Sequence, residues 1–384
     1  MTVLIAGAGP VGLSAANALA DAGIPVRVLE AEPALPENLR ASTFQPPTLD
    51  LLDRFGAARK LIAMGRTAPK VQYRDRAGWV AEFDFGVLSG ETAHPYRVQC
   101  EQFRLNHVLA ERLLQLPDAR LQFSSEVVGV QQDADTVTVH VKGGTALKGD
   151  WLIGADGGRS RVRESLGIAL EGFTWPERFL VASTPFDFPA VMPGLADVSY
   201  FADPHEWFFL LRVRDVWRVM FPTRPDEKDE EILSDAGIQA RLQRVYAKAE
   251  PYPVAHRTLY SVHQRIAAGY RKGRVFLAGD AAHLNNPLGG MGMNGGIHDA
   301  FALADLLVRK IRDGKDELDA YERSRRPVAL EYVNNISSAN KRNLETNAPS
   351  WQRELSRAAA DPVLAKDYLM KISMIASLRK LQCA

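Results

Sequence analysis

Chemistry in this chain gathers at three places where an apolar run meets glycines and a single acid. The first is Gly7-Ala8-Gly9-Pro10-Val11-Gly12, with Glu30 following 18 residues after Gly12. Gly7 permits a tight turn, Gly9 lets the backbone approach a pyrophosphate, and Gly12 lets a helix pack closely on a strand. Glu30 can accept hydrogen bonds from a ribose diol. The second place is Gly154-Ala155-Asp156-Gly157-Gly158-Arg159-Ser160-Arg161-Val162-Arg163, where one acid and three arginines surround a turn. It reads as an anion site beside the same ligand. The third runs from Gly279-Asp280 into Gly289, Gly290, Gly292, Gly295 and Gly296, five glycines within eight residues. Glycine in ordered structure is entropically costly, so this density points to a purpose. An almost side-chain-free loop at a helix N-terminus can press backbone N–H groups against a flat, electron-rich ligand.

Each place needs a strand before it and a helix after it. Thr2–Ala6 reads as a strand, Leu13–Ala22 as an alanine-rich helix ended by Gly23, and Val26–Leu29 as a second strand closing on Glu30. Strand, GxGxxG, helix, strand and acid together specify an ADP-containing dinucleotide. The acid favours a free 2′-hydroxyl, hence NAD or FAD over NADP, and leaves those two open. Trp151–Ile153 and Val275–Ala278 are short apolar strands entering the other two junctions, and Ile297–Arg312 carries a helical apolar stripe.

Between the junctions, Pro47–Phe55 and Gln102–Leu114 read as helices, and Lys70–Tyr73, Val80–Phe85 and Tyr96–Gln99 as alternating strands. Leu121–Val130 and Thr136–Lys142 read as hairpin-like strands. From Phe179 to Tyr260 the chain becomes aromatic, with strands expected at Val198–Phe201, Trp207–Val213 and Trp217–Pro222 and a helix at Ile238–Ala249. An antiparallel sheet of this kind can wall an aromatic pocket. A helix is expected over Tyr321–Asn334 with a kink or restart at Pro327. Two or three more are expected between Trp351 and Leu381, packed outside the dinucleotide-binding part.

The composition limits the alternatives. The chain has 384 residues, 46% hydrophobic and 24% charged, with a net charge of +1, the profile of a globular chain able to bury a large core. No basic excess recommends nucleic acid. Two cysteines, Cys100 and Cys383, form neither a disulfide framework nor a metal-ligand spacing. No apolar run reaches membrane-spanning length, and a strand at the N-terminus leaves no room for a signal peptide. A cytoplasmic monomer or homodimer is expected.

The three motifs, in their order and spacing, resemble the group A flavoprotein aromatic hydroxylases, typified by p-hydroxybenzoate hydroxylase. The resemblance covers residue 1 to about 330 and implies an α/β fold: a Rossmann-like FAD-binding domain, an antiparallel substrate sheet and C-terminal helices. The expected division is 1–70, 97–175 and 265–330 for FAD, 71–96 and 176–264 for substrate, and 331–384 for the helical segment. FAD is the implied cofactor and NAD(P)H the co-substrate. O2 and a small aromatic substrate are the other implied partners. The implied reaction is hydroxylation of a phenol or hydroxy-heteroaromatic through a C4a-hydroperoxyflavin.

The resemblance also implies roles. Gly7, Gly9, Gly12 and Glu30 would hold the ADP half, and Arg40 and Gln102 the flavin or its linker. Asp156 and Gly157 belong to a motif serving FAD and the nicotinamide cofactor, with Arg40, Arg159 and Arg161 as candidate nicotinamide contacts. Asp280 would bind the ribityl chain, Gly292-Met293-Asn294 the pyrimidine edge, and the Pro287 carbonyl would lie near the substrate hydroxyl. No second GxGxxG unit exists, so NAD(P)H has no domain of its own. The family's substrate ligands do not map by motif. From the residues alone, His205 is a candidate base and Arg218 a candidate partner for a substrate carboxylate. Alternatives are a monooxygenase or reductase of this fold acting on a natural-product or quinone-pathway intermediate, or a flavin-binding protein without turnover.

Overall fold

A computed structural model describes residues 1–382; Cys383 lies outside the described residues. The dinucleotide-binding part is built on a six-stranded sheet in the order Arg271–Lys272, Val275–Leu277, Trp151–Gly154, Val3–Ala6, Val26–Leu29, Ala119–Gln122. All pairings are parallel except that of Arg271–Lys272. Val3, Leu4, Ile5 and Ala6 are all buried, as a strand covered on both faces requires. The helix Pro10–Asp21 buries its first ten residues. Its alanines let it sit between the sheet and the helices Gln102–Leu113 and Gly292–Asp313. Asn17 supports it by donating to Leu13 O (2.8 Å) and Leu109 O (3.0 Å).

The aromatic segment belongs to an eight-stranded sheet. Its order is His283–Leu284, His256–Ala267, Leu170–Thr184, Val216–Pro222, Phe208–Val213, Val198–Phe201, Lys70–Asp75, Gly78–Asp84. Pairing is antiparallel except between Val198–Phe201 and Lys70–Asp75. Side chains alternate between two apolar clusters. Tyr73, Phe83, Tyr200, Phe209 and Met220 face one way, and Phe201, Phe208, Trp217 and Phe221 face the other, toward the helix Asp235–Val245. The edge strand His283–Leu284 comes from the third motif, with His283 opposite Ile266. The glycine loop is thus sewn to the aromatic sheet.

Four expectations change. Leu121–Val130 is not one strand. It breaks at Ser124 and Ser125, where Ser124 takes φ 51°; Ala119–Gln122 joins the large parallel sheet and Val127–Gln132 a separate three-stranded one. The longest strands, Leu170–Thr184 and His256–Ala267, pair with each other and cross the expected boundaries at 175/176 and 264/265. Over residues 170–176 and 256–261 none is buried, so no in–out alternation marks those ends. The helix Ala320–Leu330 runs through Pro327 and widens into a π-helix over Glu331–Ser337, a local adjustment that follows a missing N–H.

The C-terminal helices pack elsewhere than expected. Pro349–Ala360 and Pro362–Ile372 cover the aromatic sheet, where Leu355, Ala365, Leu369 and Ile372 join the apolar cluster of Tyr73 and Phe83. Trp351 meets Tyr73 edge-on (5.9 Å, 88°), and Tyr368 stacks on Phe83 (4.3 Å, 25°). The phenols of Tyr368 and Tyr73 hydrogen-bond at 2.8 Å. Among the described residues no helix is long and apolar enough to cross a membrane.

Candidate functional site

At the first junction the glycines are sterically required. Gly7 has φ 99°, and a Cβ there would lie 2.4 Å from Ala155 O; one on Gly12 would lie 2.0 Å from Gly7 O. Gly9 has nothing within 4 Å of its would-be Cβ, which leaves its backbone open to a ligand. The Glu30 carboxylate braces this turn, accepting from Ala8 N at 2.7 Å and from Glu32 N at 3.1 Å. Lone pairs remain for a ribose.

At the second junction Asp156 is committed to the fold. It accepts from Ser160 Oγ (2.6 Å) and Val162 N (3.1 Å), while Ser160 Oγ accepts from Arg163 N (2.9 Å). The pair caps the short helix Arg161–Ser165. Burial pushes the Asp156 carboxyl up, with the Ser160 and Val162 hydrogen bonds opposing. The three arginines separate in role. Arg163 is buried and donates to Ala281 O (3.1 Å) and Gly158 O (3.0 Å), tying the second motif to the third. Arg161 pairs with Glu164 at 2.7 Å and Arg159 is exposed. Gly157, at φ 80°, borders open space.

The third motif lies against the first: a Cβ on Gly279 or Gly296 would come within 2.7 Å of Val11 Cγ2. The Asp280 side chain is open to solvent, yet protein crowds it enough to push its carboxyl up, with His283 and Arg40 pulling it down. Its exposed side leaves it within reach of a ligand, with Arg40 and His283 the charged groups that act on it. Behind it Asp299, fully buried, accepts from Arg325 Nε (2.7 Å) and Gly279 N (3.2 Å) and bonds His283 Nε2 (2.7 Å). Burial alone would raise the Asp299 carboxyl; Arg325 and then His283 outweigh it and hold it at about 2. His298 is driven down to about 3 by burial and then Arg325, so it is neutral, and it bonds Thr48 Oγ1 at 2.8 Å. Both histidines beside the loop are therefore structural.

The helix begins at Gly292, five residues before the expected Ile297, so Gly292, Met293 and Asn294 form its first turn. No side chain caps it, and a helix N-terminus carries unpaired N–H groups and partial positive charge. Asn294 uses its side chain for the fold. Its Oδ1 accepts from Gln45 N (2.9 Å), and its Nδ2 donates to Thr43 O (2.8 Å) and Gly290 O (2.6 Å). Gln45 in turn donates to Gly289 O at 2.8 Å. The Pro287 carbonyl accepts from Gly290 N at 2.9 Å, with its second lone pair free. Gln102 starts its helix and donates its backbone N–H to Ala41 O (2.9 Å).

Arg218 and His205 part company. Arg218 is buried on the face shared with Met220 and reaches across to the Arg40 segment, donating to Arg40 O (2.9 Å), Ser42 Oγ (3.0 Å) and Leu39 O (3.0 Å). Its known hydrogen bonds all hold the protein's own loop, so a carboxylate-binding role gives way to a clamp. His205 is exposed in the turn after Val198–Phe201, at the opposite end of the sheet from the Val198–Leu211–Arg218 row. Three strand residues alone separate the two ends by roughly 10 Å. The geometry does not bring His205 to the loop.

Residues 1–336 match a family described as an FAD binding domain. Para-nitrophenol 4-monooxygenase of Pseudomonas sp. (strain WBC-3) is 34% identical over 399 residues, covering 99% of this chain and 97% of its own. The chain belongs to the group A flavoprotein aromatic hydroxylases. This hydroxylase is also 37% identical over 360 residues to 6-hydroxy-3-succinoylpyridine 3-monooxygenase HspB of Pseudomonas putida, covering 90% of each. Its backbone is similar to the crystal structure of p-nitrophenol 4-monooxygenase PnpA from Pseudomonas putida DLL-E4. That match has a TM-score of 0.91 at 33% identity and covers 97% and 98% of the two chains. The hydroxylase is an FAD-dependent aromatic monooxygenase that uses NAD(P)H and O2.

Sequence reasoning missed Gln45, the Asp299–Arg325 pair and the Tyr73–Tyr368 contact. Asp299 stands inside the third motif, yet it lies off the apolar stripe of Ile297, Phe301 and Ala304 and so gave no sign of its burial. Gln45 and Tyr368 carried no signal, because their partners lie 244 and 295 residues away.

Proposed function

We propose that this hydroxylase acts on a single-ring phenol or hydroxypyridine bearing a polar substituent. One observation carries the reading. Leu288, next to Pro287 in the glycine loop, belongs to the same apolar cluster as Tyr73, Tyr200, Phe209 and Met220. The loop and the aromatic sheet face therefore close on each other. The named relatives support the size class, since nitrophenol and a hydroxypyridine appear in their names and they match over nearly their full lengths.

The residues fit FAD. Gly7, Gly9 and Gly12 supply a pyrophosphate turn whose outer side is open, and Glu30 serves the ribose. Arg40, Gln102, Asp156 and Gly157 line the way to Asp280 at the ribityl chain. Gly292, Met293 and Asn294 then meet the pyrimidine edge. FAD held there would supply reducing electrons from NAD(P)H and activation of O2, one atom of which would go to the ring and the other to water. The protein supplies position and electrostatics. The uncapped helix start at Gly292 favours negative charge at the pyrimidine edge. Leu288 and the aromatic face keep water from the reacting face. The free lone pair of the Pro287 carbonyl can accept from the substrate hydroxyl. Arg218 keeps the Arg40 segment against the sheet.

The test is a panel of nitrophenols, cyanophenols, hydroxybenzoates and hydroxypyridines, scored for aromatic-dependent NAD(P)H oxidation with hydroxylated product. The purified protein should be yellow and at least one single-ring compound should be hydroxylated. If turnover requires a multi-ring scaffold, or NAD(P)H oxidation yields only peroxide with every member, the substrate assignment is wrong.

A further inference from the structure

One charged side chain in the pocket region is buried with neither an acid beside it nor, among the described residues, a partner for its Nη atoms. Arg97, on the short strand Arg97–Gln99, is 2% exposed. Among the described residues no carboxylate lies within ion-pair distance of it. Its one side-chain hydrogen bond runs from Nε to Gln45 Oε1, at 3.1 Å. Gln45 also donates to Gly289 O and pairs its backbone with Asn294, so Arg97 stands one side chain from the glycine loop. The guanidinium lies over the Phe85 ring, 5.1 Å from its centre. It is close enough to the buried phenols of Tyr73 and Tyr368 to offset part of the rise that burial imposes on them.

An arginine cannot shed its charge inside a protein, and a buried cation without a partner costs several kcal/mol. Among the described residues the other buried cations are compensated: Arg325 has Asp299, Arg241 has Glu227 and Lys341 has Glu177, while Arg163 and Arg218, which also lack a carboxylate, donate to backbone carbonyls. The Nη atoms of Arg97 have no protein partner, yet they are not among the fully occluded polar atoms lacking one. They are therefore not fully sealed from a molecule the size of water. The groups nearest the guanidinium are the Phe85 ring, the Gln45 amide and the phenols of Tyr73 and Tyr368.

We infer that Arg97 is the substrate-specificity residue of this hydroxylase, pairing through its two Nη atoms with an oxyanion carried by the aromatic substrate. This rests on the functional reading above and sharpens it: the ring must bear an anionic oxygen. That oxygen is either the ring phenolate or a carboxylate or nitro substituent. A planar guanidinium takes the two oxygens of a carboxylate or nitro group side by side, or turns both Nη atoms on a single phenolate oxygen.

The experiment uses the FAD-loaded protein and its Arg97→Gln and Arg97→Lys variants. Three ring probes are titrated and read by the flavin spectrum. They are 4-cyanophenol (whose only anionic oxygen is the phenolate), benzoate (whose only anion is the carboxylate) and neutral benzonitrile. Losing a charge-assisted hydrogen bond should weaken anion binding in Arg97→Gln by about 10- to 100-fold. Benzonitrile binding should stay within about twofold. A loss confined to 4-cyanophenol assigns the phenolate, and one confined to benzoate assigns the substituent. Arg97→Lys retains the charge without the fork and should fall between the two; it decides the matter if the glutamine variant does not hold FAD. Unchanged affinity for both anions overturns the inference, as does an equal loss for benzonitrile, which would mark Arg97 as structural. A yellow wild type that hydroxylates a neutral ring while binding neither anion would leave the monooxygenase intact and remove the Arg97 assignment.

Discussion

Replacing Asp299 by asparagine tests how the third motif is held. The carboxylate is fully buried and 2.7 Å from both Arg325 Nε and His283 Nε2, and it accepts from the Gly279 N–H beside Asp280. Asparagine keeps the shape and removes the charge, so the Arg325 side chain, 2% exposed, becomes a buried cation with no counter-charge. Breaking such a pair costs about 3–5 kcal/mol. An independent route gives a smaller figure. The carboxyl sits at about 2 rather than the ordinary 3.8, and at about 1.4 kcal/mol per tenfold change in proton affinity this is roughly 2–3 kcal/mol. The two differ because proton linkage measures only the charge, while the substitution also reverses an amide dipole toward Arg325 or His283. Urea unfolding of the FAD-free protein should show a loss of at least about 2 kcal/mol, and FAD retention should fall because Gly279 is no longer held.

The pH dependence has a definite sign. A carboxyl lowered in the native state contributes fully above 3.8 and loses that contribution as pH falls toward about 2, since the unfolded chain takes up the proton first. Asp299→Asn should therefore flatten the stability curve between those values. Exchanging Asp299 and Arg325 together for apolar residues should recover much of the loss, as removing both partners leaves no orphan charge. A single variant destabilised by less than about 1 kcal/mol, with FAD binding intact, would show that Arg325 is solvated or paired elsewhere and refute the reasoning.

Two further outcomes are expected. Asp280→Ala should lower FAD retention at neutral pH by about tenfold or more, measured by dialysis and released-flavin absorbance, because it removes a charged acceptor from the third motif; unchanged retention would separate Asp280 from the cofactor. His205→Ala should leave turnover within about twofold and stability within about 0.5 kcal/mol, the usual result for an exposed turn residue. A large drop in kcat would instead place that turn at the reaction.

Local constraints were legible because they act over a few residues. The Gly7–Gly12 turn, the glycine run from Gly289 to Gly296 and the strand-end acids can be read from residue type and spacing, since only glycine tolerates the φ of 99° at Gly7 or the 2.0 Å approach at Gly12. The family resemblance rests on those same constraints. Side-chain assignments were less legible, because they depend on which distant segment arrives. Arg218 looked available for a substrate until the Leu39–Ser42 segment, about 180 residues earlier, took its hydrogens. Asp156 read as a ligand group, and its second task, capping a helix through Ser160 and Val162, was not legible.

The sequence by itself determined that three glycine-and-acid junctions would form at strand ends and that an aromatic sheet would accompany them, because backbone sterics and side-chain periodicity are local properties. Tertiary structure alone decided that the last helices cover that sheet rather than the dinucleotide-binding part, that Tyr368 meets Tyr73 across 295 residues, and that Arg97 is buried without an acid. Burial and charge pairing are properties of the assembled surroundings, and no window of sequence contains them.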